Sequence, residues 1–158
     1  MKRKVFIILA VLCAAVCSCD KISGSSDKGG GETVIIDPAI IGTWEIIKYG
    51  AIEQGQTQEG RICDNRSEIL SSYHKFAFDG NAIMKLSFGN PEEIIEVDFY
   101  YDSTYKTLLF GDSGYADVET LNGTDLIFTS DSFMPLGWYE DATVKNVRVY
   151  CKKMQQSN

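Results

Sequence analysis

The sequence has few of the residues that enzyme and metal sites need. Of its 158 residues only one, His74, is a histidine. Zinc is usually held by several His and Cys side chains together, so a single histidine without an available cysteine pair supports no zinc site. The sequence also contains no Gly-x-Ser-x-Gly motif and no phosphate-binding loop. We therefore predict a protein that is not an enzyme and has no metal or cofactor.

Basic residues are also scarce. Lys and Arg number 15 against 22 Asp and Glu, and the formal net charge is −7. Nucleic-acid binding depends on clustered Lys and Arg that neutralise phosphates, so we predict no nucleic-acid partner. The acidic turn at Asp112 and Asp117 lacks the ligand spacing of an EF-hand. A solvated acidic face is predicted for Glu92, Glu93, Glu96, Asp98 and Asp102.

The chain has only one long apolar run, residues 5–16, which follows Lys-Arg-Lys at positions 2–4. A transmembrane anchor is the alternative, but a spanning helix needs roughly 20 apolar residues. Asp20 and Lys21 end the run too early for that. A positively charged start followed by a short apolar stretch is typical of a secretory signal.

The end of this leader, Val16-Cys17-Ser18-Cys19, resembles the lipobox of bacterial lipoproteins. The resemblance implies that residues 1–18 are a signal peptide and that Cys19 becomes a lipidated N-terminus. Cys17 fits less well because the bulky Val16 precedes it. Several acyl chains on one residue give lasting membrane attachment. The expected location is the bacterial cell envelope, with the outer membrane or cell surface favoured.

Residues 19–33 are predicted to be a flexible tether that follows the lipidated cysteine. Only Ile22 is apolar between residues 20 and 33, so this segment cannot bury enough surface to offset its ordering entropy. The folded domain is therefore predicted to span residues 34–158.

The body of the chain has the period-2 alternation of β-strands and no sustained helical period. Asn122-Gly123 between two such runs predicts a hairpin, since both residues tolerate positive φ. Short connections indicate sequential antiparallel neighbours. The predicted strands are 42–50, 73–79, 82–88, 94–101, 105–110, 115–121, 124–130 and 142–152. We predict an all-β fold, an eight-stranded up-and-down antiparallel barrel, because closure removes unpaired edges. The alternative is a β-sandwich.

Alternation also predicts which side chains face the barrel interior. An eight-stranded barrel either is filled by its side chains or holds one small ligand, and both outcomes use the same apolar residue types. The predicted cavity lining is Phe76, Phe78, Met84, Leu86, Phe88, Val97, Phe99, Tyr101, Val118 and Phe128, with Ile95 and Leu126 also facing inward. Polar groups at the mouth are predicted to be Tyr73, His74 and Tyr101.

Gly42-Thr43-Trp44 opens the first predicted strand after a short apolar lead. This pattern resembles the lipocalin and lipocalin-like families, and with the leader it resembles bacterial lipocalin-like lipoproteins. The resemblance implies an eight-stranded barrel with Trp44 as a plug at one end and Arg148, from the last strand, across its ring. Alternation along that strand places Arg148 outward unless the strand has a bulge. The resemblance also implies that the long segment 51–72 covers the barrel mouth as a lid.

Two cysteines, Cys63 and Cys151, remain once the leader is removed and Cys19 is acylated. Disulfides persist outside the cytoplasm, and an even pair there predicts a bridge. The alternative is two independent buried thiols.

Two functions remain open at this point. The first is a membrane-anchored envelope lipoprotein whose barrel binds a small apolar or amphipathic ligand. The second is an interaction module with a filled barrel, which docks to another envelope protein or a glycan. The apolar segment 132–139 is then either a partner contact, since Trp and Tyr are common interface anchors, or a plug at the barrel end.

Overall fold

A computed structural model describes residues 36–155 of the chain. The predicted signal peptide, the lipidation site Cys19 and the tether 19–33 lie outside the described residues.

The described part is built almost entirely from β-strands, with one short α-helix and one 3-10 turn at Leu136–Trp138. The strands are β1 (Gly42–Glu53), β2 (Glu59–Cys63), β3 (Tyr73–Phe78), β4 (Ile83–Phe88), β5 (Glu93–Asp102), β6 (Thr107–Phe110), β7 (Gly114–Leu121), β8 (Asp125–Ser130) and β9 (Val144–Lys153), and helix α1 (Arg66–Leu70) lies between β2 and β3.

Eight of these strands close into an antiparallel barrel. Each strand from β3 to β9 pairs with its neighbour in sequence, and β1 pairs with both β3 and β9. The β1–β9 ladder, which extends from Trp44 opposite Lys153 to Glu53 opposite Val144, joins the first strand to the last. The prediction of a closed eight-stranded up-and-down barrel is therefore confirmed, and the β-sandwich is excluded.

The two ends of the barrel are named here by the aromatic residues found there. β1 begins at the end that we call the Trp44 end. β8 finishes at the opposite end, which we call the Phe133 end after the first buried aromatic residue of the loop 131–143. Inward side chains alternate with outward ones along each strand, as the burial of β3 and β8 shows. The predicted hairpin at Asn122 is present, and the Asn122 side-chain oxygen accepts from the backbone of Thr124 and Asp125, each at 2.8 Å.

The segment 51–72, predicted to be a long loop, contains regular structure, and this corrects the expectation of a loop. Its first residues extend β1, and β2 then returns alongside them, with Tyr49 opposite Cys63. Helix α1 follows, and its N-cap residue Asn65 accepts a hydrogen bond from the Ser67 backbone at 2.9 Å. Ile69 of α1 is fully buried in the core. The segment thus continues the wall of the barrel and packs against its end.

The pairing partner of β5 changes along the strand. Residues 93–98 of this strand pair with β4, whereas residues 99–102 pair with β6 on the other side. β6 has four residues and ends at Phe110, so it does not extend as far as the start of β5. Within the described part of the chain, residues 93–97 of β5 consequently have a strand neighbour on one side only. We call this stretch the β5 edge.

Candidate functional site

The residues predicted to line the barrel interior do face inward. Two of them, Phe88 and Val97, are only partly buried. The other eight are buried: Phe76, Phe78, Met84, Leu86, Phe99, Tyr101, Val118 and Phe128. Leu126 is buried as well, but Ile95 is 40% exposed because it lies on the β5 edge, beyond the reach of β6. Inward orientation alone does not decide whether these residues surround a ligand or one another.

The interior of the barrel at the Phe133 end is filled by a side chain from the loop. The Phe133 ring lies 4.6 Å from the Phe110 ring and 4.9 Å from the Phe76 ring, centroid to centroid. Tyr73 and Phe128 approach it to 5.4 and 5.7 Å. These separations are those of packed aromatic pairs, so the Phe133 side chain fills this part of the interior.

Several contacts hold the loop 131–143 against the barrel. Met134 and Trp138 are buried beside Phe133. The Arg61 guanidinium of β2 lies 4.8 Å from the centre of the Trp138 ring and forms a 2.9 Å ion pair with Asp141. The Tyr139 hydroxyl donates to the Ser132 carbonyl at 3.1 Å. Of the two interpretations of segment 132–139, the structure therefore supports the end plug.

Trp44 occupies the opposite end and is fully buried. Its indole N–H donates to the Ile40 carbonyl at 2.8 Å, which ties the strand to the turn that precedes it. Gly42 has a φ of +130°, a backbone conformation that favours glycine. The Gly-x-Trp pattern thus has a local structural cause.

The cation across the Trp44 ring is not Arg148, and this prediction was wrong. Lys153 Nζ lies 5.0 Å from the indole centroid. Arg148 points outward, as alternation along β9 requires, and donates to Glu119 at 2.7 Å and Glu59 at 3.1 Å. The β1–β9 register explains the difference, since Lys153 is opposite Trp44 whereas Arg148 is opposite Gly50.

Arg148 belongs to a polar cluster on the outer wall. Glu59 accepts hydrogen bonds from Arg148 and from the Tyr150 hydroxyl, and Lys48 Nζ is 3.5 Å away. Burial by itself raises the pKa of the Glu59 carboxyl, but these hydrogen bonds and the Lys48 charge outweigh burial, so its pKa is lowered. The cluster fastens β2 to β9 across β1 and does not face a cavity.

Cys63 and Cys151 are free, buried thiols, so the predicted disulfide is not present. Cys63 pairs with Tyr49 on one side of β1, and Cys151 pairs with Ile46 on the other. Adjacent strands are about 4.8 Å apart, so an intervening strand separates the two Cα atoms by roughly 9–10 Å. A disulfide requires Cα atoms within about 7 Å.

We expect both thiols to resist alkylation in the native protein. Burial, followed by the nearby charge of Glu68, raises the pKa of Cys63 to about 11. Burial also raises the pKa of Cys151. Since the thiolate is the reactive form, neither residue should react with iodoacetamide at pH 8 until the protein is unfolded. Peptide mapping by mass spectrometry before and after addition of guanidinium checks each cysteine separately. A Cys63–Cys151 peptide in the unreduced sample would contradict the structure.

The polar residues predicted at the barrel mouth do not converge. Tyr73 and His74 begin β3 at the Phe133 end, but Tyr101 lies near the end of β5 at the Trp44 end. His74 Nδ1 is 3.2 Å from the Ser72 carbonyl, and its Nε2 is 3.5 Å from Glu92. Glu92 also pairs with Lys75 at 2.6 Å, and the hydrogen bond from Lys75 lowers the pKa of this carboxyl to about 2. These groups support the wall and leave no polar cluster over the interior.

The acidic residues behave mainly as surface charges. Glu92, Glu93, Glu96 and Asp98 are exposed, and Asp102 is half-buried. Among residues 36–155, no group of three His, Cys, Asp or Glu side chains is placed to hold a metal ion. No helix in the same residues combines the length and apolar character that crossing a bilayer takes.

Three cavities of the described residues lie at the wall of the barrel. One, of about 370 Å³, adjoins the β5 edge and is lined by Ile83, Glu96, Val97, Asp98, Gly111 and Asp112. A second, of about 190 Å³, continues from it along Tyr100 and Leu109. A third, of about 330 Å³, lies on the outer face near Lys75, Lys85 and Ile94.

Sequence reasoning missed the β5 edge, and it left segment 132–139, which contains Phe133, open between a partner contact and an end plug. Alternation predicted an uninterrupted strand at 94–101, but it carries no information on where the partner of that strand changes. Phe133 lies outside any alternating run, and its one signal was the apolar character of segment 132–139.

Comparison with known proteins identifies no family for this chain. No protein-family model matches the sequence. No curated protein matches it either. A crystal structure of bovine odorant binding protein, complexed with its natural ligand, is similar over 85% of this chain and 80% of that chain, with 9% sequence identity and a TM-score of 0.43.

Proposed function

We propose that the chain is a lipid-anchored protein of the bacterial cell envelope whose filled barrel docks to another envelope protein or a glycan. The observation that carries the docking function is the burial of Phe133 among Tyr73, Phe76, Phe110 and Phe128. With the Phe133 ring packed among these four rings, this part of the interior has little room for a ligand, and we infer that the outer surface carries the function. Anchoring through Cys19 is supported by the lipobox-like leader.

The outer surface offers apolar groups for such docking. Tyr100, Leu109 and Tyr115 form a row across three adjacent strands, since Leu109 pairs with both tyrosines. Each of the three is 44–45% exposed. Tyrosine is enriched among the residues that dominate binding energy at interfaces.

The anchoring part of the proposal is tested by fractionation. Cys19→Ala is expected to move the protein out of the membrane fraction, whereas the control Cys17→Ala leaves it there. Mass spectrometry of the wild type should find an acylated N-terminus at Cys19. A wild-type protein recovered soluble and unacylated would contradict anchoring.

The docking part is tested on protein purified from its own host. Native mass spectrometry is expected to find the acylated chain without a further small molecule. Cross-linking in intact cells, followed by sequencing of the cross-linked peptides, should place the contacts on the outer wall. Contacts confined to the loop 131–143 or none at all would contradict docking by the wall.

Carriage of a small apolar or amphipathic ligand is the second candidate. The observation that favours it is the apolar space that the Phe133 ring occupies. A ligand that displaced this ring would contact the four aromatic side chains that now surround it. A stoichiometric lipid that co-purifies with the protein would establish carriage and overturn the filled-barrel function.

A further inference from the structure

Among the described residues, the backbone groups of the β5 edge that face away from β4 have no strand partner. The Phe99 N–H donates to Ala82 at 2.8 Å, on the β4 side of the strand. Neighbouring residues of a strand point their backbone groups to opposite sides, so Ile94 and Glu96 point theirs away from β4. The Asp98 carbonyl agrees with this orientation, because it accepts from Gly111 at 2.9 Å on the β6 side. An edge of this kind is a template for one more strand.

The side chains along the β5 edge form two rows. Ile94 and Glu96 lie on the outer face of the strand, where Asp98 continues their row just beyond the edge, and Ile95 and Val97 lie on the inner face. Ile94 and Ile95 are 60% and 40% exposed, and Val97 is only half-buried. A strand added at this edge would cover the apolar side chains of both rows.

Negative charge surrounds the β5 edge. Glu96, Asp98 and Asp112 line the cavity of about 370 Å³ beside it. Lys85 pairs with Glu96 at 2.8 Å, and no ion pair of the described residues involves Asp98 or Asp112. This charge argues against a second copy of the chain as the occupant, since two such edges would bring their carboxylates together. It complements a partner strand that carries Lys or Arg.

We propose that the β5 edge binds an extended segment of a partner protein, with alternating basic and apolar side chains, as an added strand. The proposal rests on the docking function proposed above and names its surface and the chemistry of its partner. Alternate side chains of a strand point to opposite faces. Basic side chains of the segment would therefore reach Asp98 and Asp112, while the apolar ones cover Ile95 and Val97. Backbone hydrogen bonds would supply affinity, as in other cases of strand addition.

The test uses the full chain in detergent and the peptide acetyl-Lys-Val-Lys-Val-Lys-Val-amide as the probe. We expect saturable binding by isothermal titration calorimetry, with the Glu-Val peptide of the same length not binding. Hydrogen exchange should show the amides of Ile94 and Glu96 protected on binding. Binding without protection of these two amides would show simple charge attraction and would overturn strand addition.

Two kinds of variant separate the backbone from the charges. Ile94→Pro removes an N–H that faces the free side of the strand, where proline is tolerated. This variant should lower the affinity for the probe peptide about tenfold or more, whereas the control Ile94→Val should leave the affinity unchanged. Asp98→Asn with Asp112→Asn should also weaken it, and the exposed control Glu140→Gln should not. Circular dichroism confirms folding, and if Ile94→Pro is unfolded the amide protection and the Asn variant decide.

The outcomes also separate this proposal from the docking function. Unchanged affinity in a folded Ile94→Pro variant, or no binding of the probe by the wild type, overturns the β5 edge as the docking surface. Cross-links to a partner elsewhere on the wall would then leave the docking function standing. Cross-links to a partner that lie at the β5 edge in the wild type, and that are lost in Ile94→Pro but kept in Ile94→Val, support both.

Discussion

Phe133→Ala is expected to lower the free energy of unfolding by about 3–5 kcal/mol, the usual range for truncating a buried phenylalanine. The Phe133 side chain is 2% exposed, and its ring contacts four other aromatic rings. Its removal leaves a cavity that rigid strands cannot collapse to fill. Urea unfolding of the variant and the wild type at the same temperature measures the difference.

The Phe133 variant also tests what the interior can hold. An apolar cavity of phenyl size stays dry and binds small aromatic molecules, so benzene should raise the melting temperature of Phe133→Ala and leave the wild type unchanged. Tyr105→Ala is the control, because Tyr105 is 78% exposed and should shift stability by less than about 0.5 kcal/mol. If Phe133→Ala lowered the free energy of unfolding by less than about 1 kcal/mol, the Phe133 ring would not be packed as described.

Trp44→Ala is expected to have a comparable effect, about 3–5 kcal/mol. The whole side chain is buried, and its N–H is hydrogen-bonded to the Ile40 carbonyl at 2.8 Å. Trp44→Phe should cost less, because the ring is partly replaced, but it leaves that carbonyl unsatisfied at a cost of about 1–3 kcal/mol. Denaturant unfolding of the two variants ranks them.

A second set of variants tests whether Lys153 or Arg148 lies over the Trp44 ring. In a Trp138→Phe background, Lys153→Met should shift the Trp44 fluorescence and cost about 0.5–1 kcal/mol, since a cation over an indole face contributes roughly that much. Arg148→Met should leave the Trp44 emission unchanged. The reverse result would restore Arg148 as the cation across the ring.

Much of the fold could be predicted because it depends on local signals. The alternation at Phe76 and Phe78, or at Leu126 and Phe128, reports a strand with one buried face, whatever lies across from it. The turn at Asn122 is also local, because its side chain caps its own backbone. Eight strands with short connections then leave few topologies, and closure into a barrel is the one that removes the edges.

The candidate site could not be predicted in the same way. The position of Arg148 depends on the register between β1 and β9, and register is a pairing of residues far apart in sequence. Cys63 and Cys151 form an even pair by count, but the strand between them is visible only once the sheet is assembled. The same applies to β2, whose strand character arises from its pairing with the extension of β1.

By itself the sequence determined the strand class and the inward rows, because both follow from alternation between residues near one another in the chain, while the tryptophan plug was implied only by a family resemblance. Only the tertiary structure decided that Phe133 fills the barrel, that Lys153 covers Trp44 and that, in the described part of the chain, residues 93–97 of β5 have one strand neighbour. Each of these depends on which distant segments meet and on how far each strand extends, and the physical reason is that packing and register are set by the assembled sheet.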